Sequence, residues 1–425
     1  MRTKMLRASA ATLALTPLFA MAVAGCPSNV DQRALDGVDA LERCDLRAAH
    51  AAFSDARAMD ASRSDIALAF ALTDLATLVE DPAFQAIAPR LGFDRPLDSS
   101  LAWGRDGLLD RLSREDDCDT LEPWFRETFP HRSAPIGGPE FWSTVDTTLT
   151  LGDVRDVLVD IAPRLTEVAR ALEQTAENLD AGGVTIEGGC GLSARPTRLQ
   201  APELLALAAA LDTLVAVTEI ARGYDGSIPF HLLFRGSYER ETEWVAAMNA
   251  GFFAPTDAGA VARGRPMLAD AVALARRAVA AAAEERGRTH PSDAIFDWTA
   301  VPSDVLEDLE ALGSAGERAL REDGPHAIPR LEPALSIDVG SFFDPAFDGT
   351  SEGALWSVQT ESGSTWITTD GDAFQRLLAS HFDSDPWAEG APSRSFSIDW
   401  SDTSGSQWEQ LFDPGDRWSM AYGCR

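Results

Sequence analysis

Between Pro202 and Arg222 the chain runs for some 20 residues with only three acids, Glu203, Asp212 and Glu219, among apolar side chains. A segment of that length approaches the apolar thickness of a bilayer. Acids inside the run argue instead for a core helix, apolar on most of its faces and enclosed by others. Pro202 suits the first helical position, where its missing N–H is no loss. The feature therefore calls for an α-helical assembly around it.

The flanking sequence supplies such neighbours. From Asp153 to Leu179 a stripe of Val154, Val157, Leu158, Ile161, Leu165, Val168 and Leu172 recurs at helical spacing, with Pro163 expected to bend the helix. Further helices are predicted over Asp31–Arg43, Leu46–Met59, Ser64–Val79, Ser100–Arg114, Ser237–Ala250, Arg265–Arg286 and Ser303–Arg321. Gly182–Leu192 reads as a tight hairpin, with Val184 and Ile186 alternating before a glycine cluster around Cys190. The Pro- and Gly-rich stretch Pro130–Trp142 is a connection.

The N-terminus carries an address. Arg2, Lys4 and Arg7 precede an apolar stretch from Ala8 to Met21, too short to span a membrane and of the size of a signal-peptide core. Val23-Ala24-Gly25-Cys26 follows. This arrangement resembles the lipobox of bacterial lipoproteins. The resemblance implies cleavage before Cys26, acyl chains on Cys26, and attachment to the membrane through that anchor. In that family an Asp after the cysteine marks inner-membrane retention. Here Pro27 and Ser28 follow, which implies the outer membrane of the cell envelope.

The first helices carry a second resemblance. Gly37, Ala49, Phe53 and Ala56 stand at the Gly, Ala, Phe and Ala spacings of a tetratricopeptide repeat. The start of the mature chain resembles one such repeat plus the first helix of another. Arg33, Asp36 and Ala40 stand where Trp, Leu and Tyr are usual, and Ala61 where Pro is usual. No second full copy follows.

Four cysteines remain beside Cys26: Cys44, Cys118, Cys190 and Cys424. An even number in an exported chain suggests two disulfides, with three possible connectivities. Cys44–Cys118, within the first helical region, and Cys190–Cys424, which would pin the C-terminus, are the favoured pairs.

Past Pro325 the composition changes. Trp356, Trp366, Trp387, Trp400, Trp408 and Trp418 fall in this stretch, six of the chain's 11 tryptophans. Short alternating runs at Leu335–Val339, Leu355–Val358, Thr365–Thr368 and Ser395–Trp400 predict a small antiparallel sheet, with one short helix near Asp372–Ser380. So many aromatic side chains exceed what a small Gly- and Ser-rich lobe can bury alone. The lobe is expected to dock on the helices.

The chemistry-bearing motifs resolve into bland readings. Gly349-Thr350-Ser351-Glu352-Gly353 matches a hydrolase nucleophile pattern, but Asp344-Pro345 before it is turn chemistry rather than a buried strand. Asp344, Asp348 and Gly349 fit three positions of a calcium loop, but Ala346 and Leu355 fail two others. His381, Asp383 and Asp385 read as a solvated loop. His50, His131, His231, His290 and His326 are scattered without metal-ligand spacing. No catalytic residue, metal or cofactor is assigned. With 36 Lys and Arg against 67 Asp and Glu, the net charge is −31, so the surface repels phosphate backbones and no nucleic acid is expected.

The expected fold is mainly α, an antiparallel helical array with a small β-containing, Trp-rich C-terminal lobe. Its expected divisions are a signal peptide over 1–25, an N-terminal helical region over 26–130, the array over 131–324 with a hairpin near 183–192, and the lobe over 325–425. The expected function is a noncatalytic, lipid-anchored envelope scaffold that binds a protein partner. The alternative is an envelope glycan-binding protein or hydrolase using the tryptophans of the lobe, since Trp rings on an exposed sheet stack on sugars.

Overall fold

Most helices of this protein begin at a residue that takes up their free amides. Ser28 Oγ accepts from Asp31 N at 3.1 Å and starts α1 (Asn29–Glu42). Asp45 does the same for Ala48 N at 3.0 Å and starts α2 (Leu46–Met59). α3 (Ser64–Thr77) follows, extended by a 3-10 turn over Leu78–Glu80. Asp81 caps the short α4 (Pro82–Ile87), and a reciprocal Thr150–Asp153 box opens α5 (Leu151–Glu177). In α6 (Ala201–Arg222) the Gln200 amide donates to Glu203 Oε2 at 3.0 Å. Asp257 caps α7 (Ala258–Arg286), and α8 is Ser303–Arg321. The computed structural model describes residues 28–92, 146–179, 183–186, 196–227, 229–230, 256–288 and 294–324. Beyond these it describes short pieces at 326–327, 329, 336–337, 339–343, 356–361 and 364–369.

The seven long helices among the described residues pack in chain order, each against the next of them. Side-chain pairs show that each packs antiparallel to its neighbour. In the α2/α3 pair, Arg57 lies over Phe70 while Arg47 meets Glu80 at the other end. In α3/α5, Thr175 Oγ1 donates to Ser64 O at 3.1 Å while Arg164 reaches Asp74 and Asp81. In α6/α7, Arg263 pairs with Glu219 while Gln200, just before α6, donates to Glu285. In α7/α8, Arg265 donates to Leu320 O while Arg286 donates to Val301 O. Close approach is sequence-encoded in the α1/α2 pair: a Cβ on Gly37 would lie 2.7 Å from the Phe53 ring.

One continuous core runs through α1, α2, α3, α5, α6 and α7, with Ala40, Phe53, Leu68, Leu72, Val168, Leu172, Leu204 and Leu274 among its buried members. α3 buries eleven of its 14 residues, so it is the innermost element of the N-terminal half. At that density, burial of each large side chain contributes about 1.5–3 kcal/mol.

The fold is mainly α, as the periodicity required. Several boundaries differ. α4 has no counterpart in the sequence reading; Asp81 and Pro82 start it where only a stop was expected. α7 begins seven residues before the predicted Arg265, because Asp257 supplies a cap and the helix passes through Pro266 at an exposed position. α5 likewise runs through Pro163 without interruption.

The hairpin near 183–192 is corrected. β1 (Val184–Ile186) pairs antiparallel with β2 (Thr197–Leu199), beyond the glycine cluster, in register Val184↔Leu199 and Ile186↔Thr197. Thr197 and Leu199 are the buried residues of β2, and Leu199 joins the main core, which fixes that register. Past α8, β3 (His326–Ala327) pairs with β4 (Ser336–Ile337), and β5 (Trp356–Glu361) pairs with β6 (Ser364–Thr369), all antiparallel. The predicted helices over Ser100–Arg114, Ser237–Ala250 and Asp372–Ser380, and the strand over Ser395–Trp400, lie outside the described residues.

Candidate functional site

The most buried polar constellation sits where α2, α3, α4 and α5 meet. An acid in the middle of an apolar helix must find a partner. Asp74, 3% exposed on α3, finds two. Arg164 Nη2 on α5 donates to Asp74 Oδ1 at 2.8 Å, and Arg164 Nη1 donates to Asp81 Oδ2 at 2.7 Å. The same Nη2 reaches the Asp74 carbonyl at 3.3 Å. On the α2 side, His50 Nε2 lies 3.3 Å from Asp74 Oδ1. His50 Nδ1 is buried without a hydrogen-bond partner.

Electrostatics sort the protonation states. Burial pushes the His50 imidazole below its ordinary 6.5; Asp74 opposes that shift and Arg164 reinforces it. The Nε2 edge of the ring faces Asp74, and Nδ1 faces away from it. Burial also opposes the charge of Arg164, but its hydrogen bonds to Asp74 and Asp81 outweigh this and raise its pKa. Arg57 stacks 4.5 Å above the Phe70 ring and pairs with Glu167 at 3.4 Å. The Phe70 ring lies 5.5 Å from that of His50.

The Asp74 carboxylate joins α2, α3 and α5, and Arg164 extends the network to Asp81 at the start of α4. This network has the base and orienting acid of a general-base pair, but Asp74 is shared with a guanidinium, which weakens its support of an imidazolium. Its chemistry is that of a buried polar staple.

No family model matches the chain, and neither a curated protein nor a solved structure matches it. The geometry is therefore the ground for assigning roles.

Two further polar groups hold the second half of the array. Glu203 is buried, which pushes its carboxyl pKa up; it accepts from Trp298 Nε1 at 2.9 Å and from the Gln200 amide. On the α7/α8 seam, Arg276 bonds Glu310 and Glu317, and Arg321 bonds Glu317 and Asp270. Among the described residues, no group of three or more His, Cys, Asp and Glu is placed to share a metal ion.

Of the residues singled out from sequence, Cys44 lies in the turn between α1 and α2 with φ 61°, a left-handed conformation unusual for a side-chain-bearing residue. Its amide donates to Leu41 O at 3.0 Å. His326 lies on β3, and Trp356 and Trp366 fall on β5 and β6. Cys26, Cys118, Cys190 and Cys424, the Gly349–Gly353 pattern, the Asp344/Asp348 loop and the His381 group lie outside the described residues.

In the sequence His50 is one of several scattered histidines, and no motif includes Asp74 or Arg164. The available signal was Asp74 itself, the one charge between Ile66 and Val79. Its partner is 90 residues away, a separation that no local pattern spans.

Proposed function

We propose that this protein is a noncatalytic helical scaffold, anchored by lipid at Cys26 to the outer membrane of a cell envelope, that presents its antiparallel array to a protein partner. Val23-Ala24-Gly25-Cys26 after a signal-peptide core carries the reading. The array suits it: α1 is capped by Ser28, two residues after Cys26, so an acylated Cys26 would hold the helices close to the bilayer. A single acyl chain anchors only marginally, so the reading requires at least two.

The polar staple supports a scaffold rather than an enzyme, because Asp74, Asp81 and Arg164 satisfy one another. The reading keeps two disulfides, Cys44–Cys118 and Cys190–Cys424.

Mass spectrometry of the mature N-terminus tests the anchor. The expected result is a processed chain beginning at a diacylated or triacylated Cys26. An unacylated N-terminus at any other residue overturns the proposal. Non-reduced peptide mapping tests the bridges, and four free thiols would contradict them.

A further inference from the structure

α6 is enclosed on only part of its circumference. Val215 meets Ile161 and Leu165 of α5, while Ala216 and Ile220 meet Gly264 of α7. Asp212 and Glu219 share the side of α6 that lies between those two helices, where Arg277 of α7 reaches Glu173 and Glu177 of α5. At 100° per residue, the opposite side carries Ala206, Ala210, Leu214, Val217 and Ala221. Leu214 is 38% and Val217 48% exposed, and Ala206 and Ala210 are exposed too. A central helix thus shows solvent an uninterrupted, uncharged stripe of small and medium apolar side chains.

We infer that this stripe is the seat of the chain's own C-terminal segment, residues 370–425, whose aromatic side chains cover it. That segment holds Trp387, Trp400, Trp408 and Trp418 together with Phe374, Phe382, Phe396 and Phe412. An alanine-rich helix face is shallow and lets flat rings approach closely, and each aromatic can bury about 150–250 Å².

Charge selects the place. The segment carries ten acids and four arginines, within a protein of net charge −31. Most of the surface repels it, whereas the exposed stripe has no acid: Asp212 and Glu219 lie on the other side of α6, and Glu203, in line with the stripe at the start of the helix, is buried beneath Trp298. Reach is no obstacle: an extended chain spans about 3.3 Å per residue, so the residues after Thr369 exceed the length of α6 many times over.

A second copy is a poorer occupant. It brings the same negative charge, and a standard interface needs about 800 Å² from each partner, more than one narrow stripe provides. A membrane surface with anionic headgroups is disfavoured on the same electrostatic ground.

The test uses the full mature chain with a benzophenone amino acid in place of Ala210. Irradiation is expected to yield an intrachain crosslink that peptide mass spectrometry places within residues 370–425. A crosslink to a second copy, to lipid or to another stretch of the chain overturns the inference, as does none. A parallel measurement uses Leu214→Asp with Val217→Asp. Proteolytic release of residues 370–425 should become about tenfold faster while the melting temperature of the helices holds. Leu312→Asp, at an exposed apolar position on α8, should leave the rate unchanged. Equal rates in wild type and double variant would overturn the inference.

Discussion

At His50, folding and protonation compete. The unfolded imidazole titrates near 6.5, and burial in the fold, beside Asp74 and Arg164, lowers it. Protonation therefore favours the unfolded chain. The stability tied to this residue is fully present above about pH 6.5 and is lost as pH falls toward the folded value. Replacing His50 by Leu should flatten that part of the stability–pH curve, read by chemical denaturation at a series of pH values; an unchanged slope would contradict the assignment. Arg164 is the stronger test of the staple. Arg164→Met leaves Asp74 buried with its main cation gone, an error that typically costs about 3–5 kcal/mol. A loss under 1 kcal/mol would mean that Asp74 is better solvated than its 3% exposure implies.

Between elements, the decisive quantities are caps and clearances. The Thr150–Asp153 box closes both ways, with Thr150 N donating to Asp153 Oδ2 at 2.8 Å and Asp153 N donating to Thr150 Oγ1 at 3.1 Å. Thr150→Ala should cost about 1 kcal/mol in thermal or denaturant unfolding, and Thr150→Ser much less. The α6/α7 contact is closer still. A Cβ on Gly264 would stand 2.3 Å from Ile220 Cγ1 and 3.2 Å from the Ala216 carbonyl, so the helix backbones approach with no room for a methyl group. Gly264→Ala should destabilise by about 1–3 kcal/mol despite the higher helix propensity of alanine. Combining it with Ile220→Val should recover part of that loss if the clash is the cause. Caps alone did not decide which helix starts were legible, since α3 and α8 begin where predicted without a side-chain cap. α2 and α8 match the sequence reading end for end, whereas α7 starts at Ala258 behind its Asp257 cap rather than at the predicted Arg265.

Over the whole molecule, consecutive antiparallel packing makes stability additive along the array, as in repeat proteins. α5, α6 and α7 have neighbours on both sides and share the main core, while α1 and α8 are the terminal long helices of the array. Native-state hydrogen exchange should find α1 and α8 opening at lower free energy than α6, and uniform protection would show instead that the array unfolds as one unit. The surface scale follows from charge: at −31 the molecule repels itself and other acids, so raising salt should stabilise it modestly by screening.

The amino-acid sequence by itself determined the helical class, the placement of most long helices, and the net charge of −31, because periodicity, caps and composition are local or additive. It also showed that one central helix was apolar on nearly every side. Only the tertiary structure decided which acid pairs with which arginine. It also decided that β1 takes Thr197–Leu199 as its partner, and that one side of α6 is left open. Those outcomes depend on contacts between residues far apart in the chain. There the competition is among whole helix faces for burial, and that competition is settled only when all of them pack at once.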